Sequence, residues 1–220
     1  MTMSHHPTED TLMRYAAGTL GAGPALVVSA HLERCPKCRA RVHAFEAVGG
    51  ALLDACPPEL MAPDALARSN APIDAHEAPM APRLPRPPSR MPDFPGDIVL
   101  PEALKACEIG PWRWYGPGVR MSKVAVPGAP KAGVMLLRVA PGRKLPEHGH
   151  EGTEFTQILY GSYTDSFGTY RAGDLTEMDD SIDHQPVVDR DGECICLAAL
   201  DGEMVLRGFV GRMMQPFVRF

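Results

Sequence analysis

The sequence contains no long hydrophobic run. None of its segments approaches the ~18 uninterrupted apolar residues that a membrane-spanning helix needs, because Gly, Asp or Arg interrupts the longer apolar stretches. The first residues, MTMSHHPTED, lack a basic stretch followed by an apolar one, so they predict no secretory signal. We therefore expect a cytoplasmic protein that does not act at a membrane.

The sequence also lacks a cluster of basic residues. Lys and Arg number 22 against 27 Asp and Glu, which gives a formal net charge of -5. Residues 1–60 hold five Lys or Arg against six Asp or Glu. Because phosphate contacts need clustered positive charge, this balance disfavours direct nucleic-acid binding, including a DNA-binding zinc module. A protein partner is favoured instead.

Proline divides the chain into two parts. Eleven of the 23 prolines fall between Pro57 and Pro95, where neither a helix nor a central strand is expected to persist beyond a short helix near residues 63–69. The total of 220 residues exceeds one typical domain of ~100–150. We predict a helical domain over residues 1–70, a proline-rich linker over 71–95 that transmits little rigid strain, and a second domain over 96–220.

The first part has the signals of three short helices. Thr8 can cap a first helix that ends near Gly18, and a second helix begins near Pro24 and reaches Cys35. Pro36 is suited to the first position of a third helix, which runs towards Leu52. Fewer than 60 residues in three helices give a thin core, and such domains usually need a covalent or metal staple.

The motif HLERCPKC offers that staple. His31 and Cys35 lie one helical turn apart, and the turn at Pro36 returns Cys38 to the same junction. These residue types suit four-coordinate zinc, which leaves one ligand to come from elsewhere. His6 is the first candidate and His5 the second. The alternative is that both cysteines are core thiols and His31 is a surface imidazole.

From about residue 96 the pattern changes to short apolar segments with Gly and Pro between them, which predicts an all-β barrel or sandwich. Within it, GRKLPEHGHEGTEFTQILYG and a later histidine supply three imidazoles and one carboxylate. The candidate metal ligands are His148, His150, Glu154 and His184. Such a set suits Zn, Fe, Mn or Ni, and we expect a divalent metal with zinc as the first candidate.

These motifs resemble two known families. The upstream His6 followed by His-x3-Cys-x2-Cys resembles the zinc-binding anti-sigma domain. The segment from Gly142 to Gly161 matches the first cupin motif at every defined position, and Gly173 and His184 match part of the second, although the usual Pro-x-Gly is replaced by Asp179 to Ser181. The order of the parts resembles the ChrR-type anti-sigma factors.

This resemblance implies a multi-domain α plus β protein, in which a zinc-stapled helical bundle is followed by a cupin barrel. It further implies that the helical domain suffices to hold an extracytoplasmic-function sigma factor away from RNA polymerase. The barrel would be needed for release in response to singlet oxygen or related oxidants. The protein would then regulate transcription and would not be an enzyme.

Three alternatives stay open from the residues alone. The cupin ligands are also compatible with a metal-dependent dioxygenase that carries a helical appendage. A second alternative is a barrel that has kept ligand-like residues without holding a metal. Cys194 and Cys196 share a strand face, which is more typical of packed core than of a redox pair.

Overall fold

The computed structural model describes residues 3–74, 92–95 and 98–206, without the side chains of residues 73, 74, 150 and 202–206. Most of the predicted linker therefore lies outside the described residues. No helix in the described part of the chain is both long and apolar enough to cross a membrane.

The three expected helices are present and are followed by a fourth. Their ranges are Glu9–Ala16 (α1), Ala22–Arg34 (α2), Pro36–Asp54 (α3) and Ala65–Asp74 (α4). The Thr8 hydroxyl caps α1 by accepting the N–H of Thr11, and Gly18 takes a positive φ of 68° just after the helix. Cys35 is extended between α2 and α3, and Pro36 opens α3. Local capping signals therefore predicted these boundaries.

The fourth helix extends further than expected. A short helix near residues 63–69 was predicted, whereas α4 continues to Asp74 with Pro72 inside it. Proline has no N–H to donate to the preceding turn. Pro72 lies in the last turn of the helix, and α4 ends two residues later.

The second part of the chain is built from β-strands after a 3-10 helix, η1 (Glu102–Ala106). The strands within the described residues are β1 (Glu108–Ile109), β2 (Arg113–Gly116), β3 (Val119–Val126), β4 (Ala129–Val139), β5 (His148–Tyr160), β6 (Ser162–Thr164), β7 (Thr169–Arg171), β8 (Leu175–Met178), β9 (Val187–Val188) and β10 (Cys194–Leu206). We refer to residues 98–206 as the β domain.

Two antiparallel sheets form the β domain. The larger sheet has the order β1-β3-β4-β10-β5-β8, with β2 paired to β3, and the smaller has the order β7-β6-β9. Among the described residues the strands do not close into one hydrogen-bonded barrel. Isolated β-bridges, such as that between His148 and His184, make further backbone contacts in addition to the two sheets. The predicted all-β cupin domain is therefore present, and its strands form two sheets that face each other.

The helices pack directly on the larger sheet. Val27 and Val28 of α2 are fully buried and belong to one hydrophobic cluster with Leu136 and Leu197 of the sheet. Gly23 lies so close to β4 that an added Cβ would be 2.2 Å from the Ala132 carbonyl oxygen. The shared cluster shows that the helices and the β domain contact each other directly, and this contact does not depend on the linker.

The N-terminal segment runs along β8, which is the last strand of the larger sheet. The N–H of Leu175 donates to the His5 carbonyl (3.2 Å). The buried Asp174 carboxylate accepts the N–H groups of Ser4 (2.7 Å) and His5 (3.1 Å). Burial alone would raise the pKa of Asp174, but these donors and the N–H of Arg171 outweigh it and lower the pKa.

Two candidate metal centres

The first candidate centre lies where α1, α2 and α3 meet. His6, His31, Cys35 and Cys38 each offer one ligand atom, and these atoms all lie within 4.8 Å of one another. The Nδ1 atom of His6 is 3.4 Å from the Sγ atoms of both Cys35 and Cys38. Zn–S bonds of ~2.3 Å and Zn–N bonds of ~2.05 Å at tetrahedral angles place N and S about 3.6 Å apart. The four residues therefore fit a closed zinc site.

His5, the second candidate for the fourth ligand, lies elsewhere. Its Nδ1 atom is 3.4 Å from the Asp174 carboxylate, and its ring packs on Tyr170 with the ring centroids 4.5 Å apart. His6 thus points towards the cysteines while His5 contacts the β domain. This alternation follows from the extended backbone of the segment, in which successive side chains point in opposite directions.

His31 has a hydrogen-bonding pattern that suits a metal ligand. Its Nδ1 atom lies 3.0 Å from the Gly173 carbonyl oxygen and 3.1 Å from Oε1 of Gln157. Its Nε2 atom is buried and has no hydrogen-bond partner among the described residues. A buried polar atom without a partner is costly, so a metal at this position would satisfy it.

The protonation of this centre favours metal binding by the histidines and opposes it at Cys38. Burial lowers the pKa of both His6 and His31, so their imidazoles are neutral at pH 7. Burial, together with the neighbouring Cys35, raises the pKa of Cys38 to about 12. Zinc must therefore displace the Cys38 proton when it binds.

The second candidate centre lies inside the β domain. His148, Glu154 and His184 are buried and close enough to share one metal ion. The two Nε2 atoms of His148 and His184 are 3.1 Å apart, and Oε2 of Glu154 is 3.7 Å from the His184 Nε2. The side chain of His150, the remaining predicted ligand, lies outside the described residues, although its backbone belongs to β5.

The outer ring nitrogens of these histidines are held by oxygen acceptors. Nδ1 of His148 donates to the Pro146 carbonyl (3.0 Å), and Nδ1 of His184 donates to the Asp165 carboxylate (3.1 Å). Both Nε2 atoms then face the centre. Two cis ligands bonded to one ion at ~2.1 Å lie about 3.0–3.4 Å apart, which matches the observed separation of the Nε2 atoms.

Two carboxylates, those of Glu154 and Asp165, lie beside His184 at this centre. Burial by itself would lower the pKa of His184, but the carboxylates of Glu154 and Asp165 outweigh it and raise the pKa. The same carboxylates would stabilise a divalent cation. The donor set and its orientation therefore fit a metal, as expected from the sequence.

A cavity of about 350 Å³ opens beside this centre between the two sheets. Its walls are mainly apolar and include Leu137, Val139 and Val188. Cys194 and Cys196 also line it and are free thiols. Burial raises the pKa of Cys194 to about 12 and holds the pKa of Cys196 well above its ordinary value, so both are protonated, as packed core cysteines are.

Three functional contacts were not anticipated from the sequence. Asp165 holds His184, while Gln157 and the Gly173 carbonyl hold His31. The acidic residue in the turn YTDSFG offered a weak signal for Asp165. Nothing in the local sequence indicated that Gln157 faces a histidine 126 residues away.

Comparison with known proteins agrees with this geometry. Residues 101–201 match the ChrR Cupin-like domain, and residues 8–39 match a family described as a putative zinc-finger. The chain is 36% identical over 222 residues to the anti-sigma-E factor ChrR of Cereibacter sphaeroides, with all of both chains covered. The chain belongs to the ChrR family of anti-sigma factors.

A solved structure of the ChrR family shares the fold. The crystal structure of Rhodobacter sphaeroides SigE in complex with the anti-sigma ChrR matches with a TM-score of 0.69 and 35% identity, covering 91% of this chain and 100% of that chain. The family assignment and the α plus β architecture predicted from the motifs are confirmed. The ChrR family consists of regulators, which also agrees with the expectation that the protein is not an enzyme.

Proposed function

We propose that the protein is a cytoplasmic, zinc-dependent anti-sigma factor that sequesters an extracytoplasmic-function sigma factor. The observation that carries this proposal is the similarity, over the full chain, to the anti-sigma-E factor ChrR. The structural match to an anti-sigma ChrR in complex with SigE supports it. The four ligand atoms at the junction of the helices agree with it. Residues 1–70 would hold the sigma factor, and residues 96–220 would form the sensor beyond a linker at 71–95.

Zinc at His6, His31, Cys35 and Cys38 would have a structural role. The four protein ligands fill a tetrahedral shell and leave no position for a substrate. The ligands come from the N-terminal segment and from both helices of the α2–α3 junction, so the metal joins elements with a small core of their own. Removing zinc would therefore separate these elements and abolish binding of the sigma factor.

An exposed apolar surface supports a protein partner. Large apolar side chains on the second half of α3, in the segment after it and on α4 are more than half exposed. They are Val48, Leu52, Leu53, Leu60, Met61 and Leu66. A group of exposed apolar side chains of this kind is typical of a protein-binding surface, and the sigma factor would cover it.

The β domain would hold a second divalent metal, with zinc as the first candidate, through His148, His150, Glu154 and His184. When bound, the ion would neutralise the negative charge of Glu154 and fix the positions of the two histidines. The adjacent cavity gives small molecules access to this centre. We propose that singlet oxygen or a related oxidant changes this domain and thereby releases the sigma factor.

A reporter driven by the cognate sigma factor tests the proposal in the full-length protein. Cys38→Ser should give constitutive expression, and His148→Ala should give a repressed reporter that singlet oxygen no longer induces. Cys107→Ser is the matched control, since Cys107 belongs to neither candidate centre. Repression by the Cys38→Ser protein would contradict the role of zinc, and normal induction with His148→Ala would contradict the sensor role of the β domain.

A further inference from the structure

The candidate zinc ligand His31 lies at the contact between the helical domain and the β domain. It lies on α2 and is fully buried, and its Nδ1 atom contacts only groups of the β domain. These groups are the backbone carbonyl of Gly173 at 3.0 Å and the side-chain oxygen of Gln157 at 3.1 Å. The β domain thus supplies the surroundings of this imidazole.

The acceptors determine which nitrogen carries the proton. A backbone carbonyl can only accept a hydrogen bond, so Nδ1 of His31 must be the donor. In the neutral imidazole, Nε2 then has a free lone pair, and it is this atom that lacks a hydrogen-bond partner among the described residues. The β domain therefore selects the tautomer in which Nε2 is ready to bind a metal.

We propose that the β domain is part of the zinc site of the helical domain, with Gln157 and the Gly173 carbonyl as positioning groups for His31. Acceptors behind a metal-bound histidine fix the orientation of its ring and increase its basicity. Separation of the domains removes both acceptors from His31 and weakens the zinc site. This inference rests on zinc binding by the helical domain, which forms part of the proposed function.

The position of Gln157 is itself well defined. Its side chain is 1% exposed, and its Nε2 atom donates to the Ile158 carbonyl (3.3 Å). Gln157 lies on β5 three residues after Glu154, so the two side chains point to opposite faces of the strand. Glu154 faces the interior of the β domain, and Gln157 faces the helices. A single strand thus carries a group from each metal centre.

The test uses cobalt as the probe in the full-length protein. Co²⁺ bound to thiolates gives a charge-transfer absorption, which reports the site of Cys35 and Cys38 and not a centre built from histidines and carboxylate. Zinc affinity is then measured by displacing the bound Co²⁺ with Zn²⁺. Gln157→Met keeps the length of the side chain but removes the acceptor, and it should weaken zinc binding about tenfold, because Gly173 remains as an acceptor.

Thr156→Val is the matched control on the same strand. Thr156 is buried like Gln157 but points into the cavity of the β domain, and valine has nearly the same shape. This variant should bind zinc as tightly as the wild type. Equal affinity in Gln157→Met and wild type, or an equal loss in both variants, would overturn the inference. A wild-type protein without the thiolate absorption would instead refute the zinc site itself.

A second measurement needs no variant and so does not depend on a variant's folding. NMR of the zinc-loaded wild-type protein with ¹⁵N-labelled histidine distinguishes the two ring nitrogens. His31 should carry its proton on Nδ1 and the metal on Nε2, whereas His6, whose Nδ1 faces the sulfurs, should show the opposite pattern. Metal on Nδ1 of His31 would overturn the inference.

Discussion

The contact between Gly23 and β4 gives a sharp prediction about how the domains dock. A methyl group in Gly23→Ala would lie 2.2 Å from the Ala132 carbonyl oxygen, whereas ordinary van der Waals contact begins at 3.4 Å. The backbone of β4 cannot rotate away as a flexible side chain would. Helix α2 must therefore shift by about 1.2 Å, which disturbs the packing of the fully buried Val27 and Val28.

The expected magnitude follows from two opposing effects. Overpacking in a well-packed core costs about 1–3 kcal/mol. Replacing glycine by alanine in a helix gains about 0.5–1 kcal/mol. The two ranges together give a net loss of up to about 2.5 kcal/mol in the free energy of unfolding, which lowers the melting temperature of a chain of this size by up to about 10 °C.

The assay is thermal unfolding at a fixed zinc concentration, since bound metal contributes to the melting temperature. Gly50→Ala is the control, because Gly50 lies on α3 with nothing within 4 Å of an added Cβ. That variant should be about 0.5–1 kcal/mol more stable than the wild type. If Gly23→Ala were stabilised as much as Gly50→Ala, α2 would not be docked on β4 in solution.

Three further predictions concern the metal centres and the N-terminal segment. The raised pKa of Cys38 means that zinc must displace a proton when it binds. Zinc affinity, measured by competition with a chelator, should therefore fall at least about tenfold for each unit by which the pH is lowered from neutrality. An affinity that does not change with pH would contradict this. Asp165→Asn should weaken metal binding in the β domain about 10–100-fold and leave the cobalt–thiolate absorption unchanged, because the candidate ligand that Asp165 holds, His184, belongs to the second centre. Thr8→Ala should cost about 1 kcal/mol in urea unfolding through loss of the α1 cap and of the bond to Glu177, and Thr8→Ser should cost less.

The sequence predicted those features that depend on neighbouring residues. Thr8, Gly18 and Pro36 act within one or two turns of their own position, so the limits of the first three helices could be inferred from them. The spacing of His31, Cys35 and Cys38 likewise reflects a single turn of helix and the bend that follows it. These local patterns sufficed to predict a metal site before any tertiary contact was known.

Contacts between distant parts of the chain were not predictable in this way. Gln157 is one of several polar residues in β5, and its partner His31 lies on another domain. Gly23 must lack a side chain because the carbonyl of Ala132 lies next to it in the fold, and the sequence around Gly23 does not show this contact. The prolines of the linker predicted a connection that transmits little rigid strain, but they carry no information about the surfaces of the two parts that the linker joins.

The run of residues 3–8 along β8 also affects what happens if the domains separate. Strand β8 is an edge of the larger sheet, and the N-terminal segment covers it through the His5 carbonyl and the Asp174 carboxylate. Lifting the helices from the β domain would remove this cover and leave the backbone N–H of Leu175 without its acceptor. Such an edge accepts a strand from another chain, so a separated state would be prone to self-association unless a new partner paired with it.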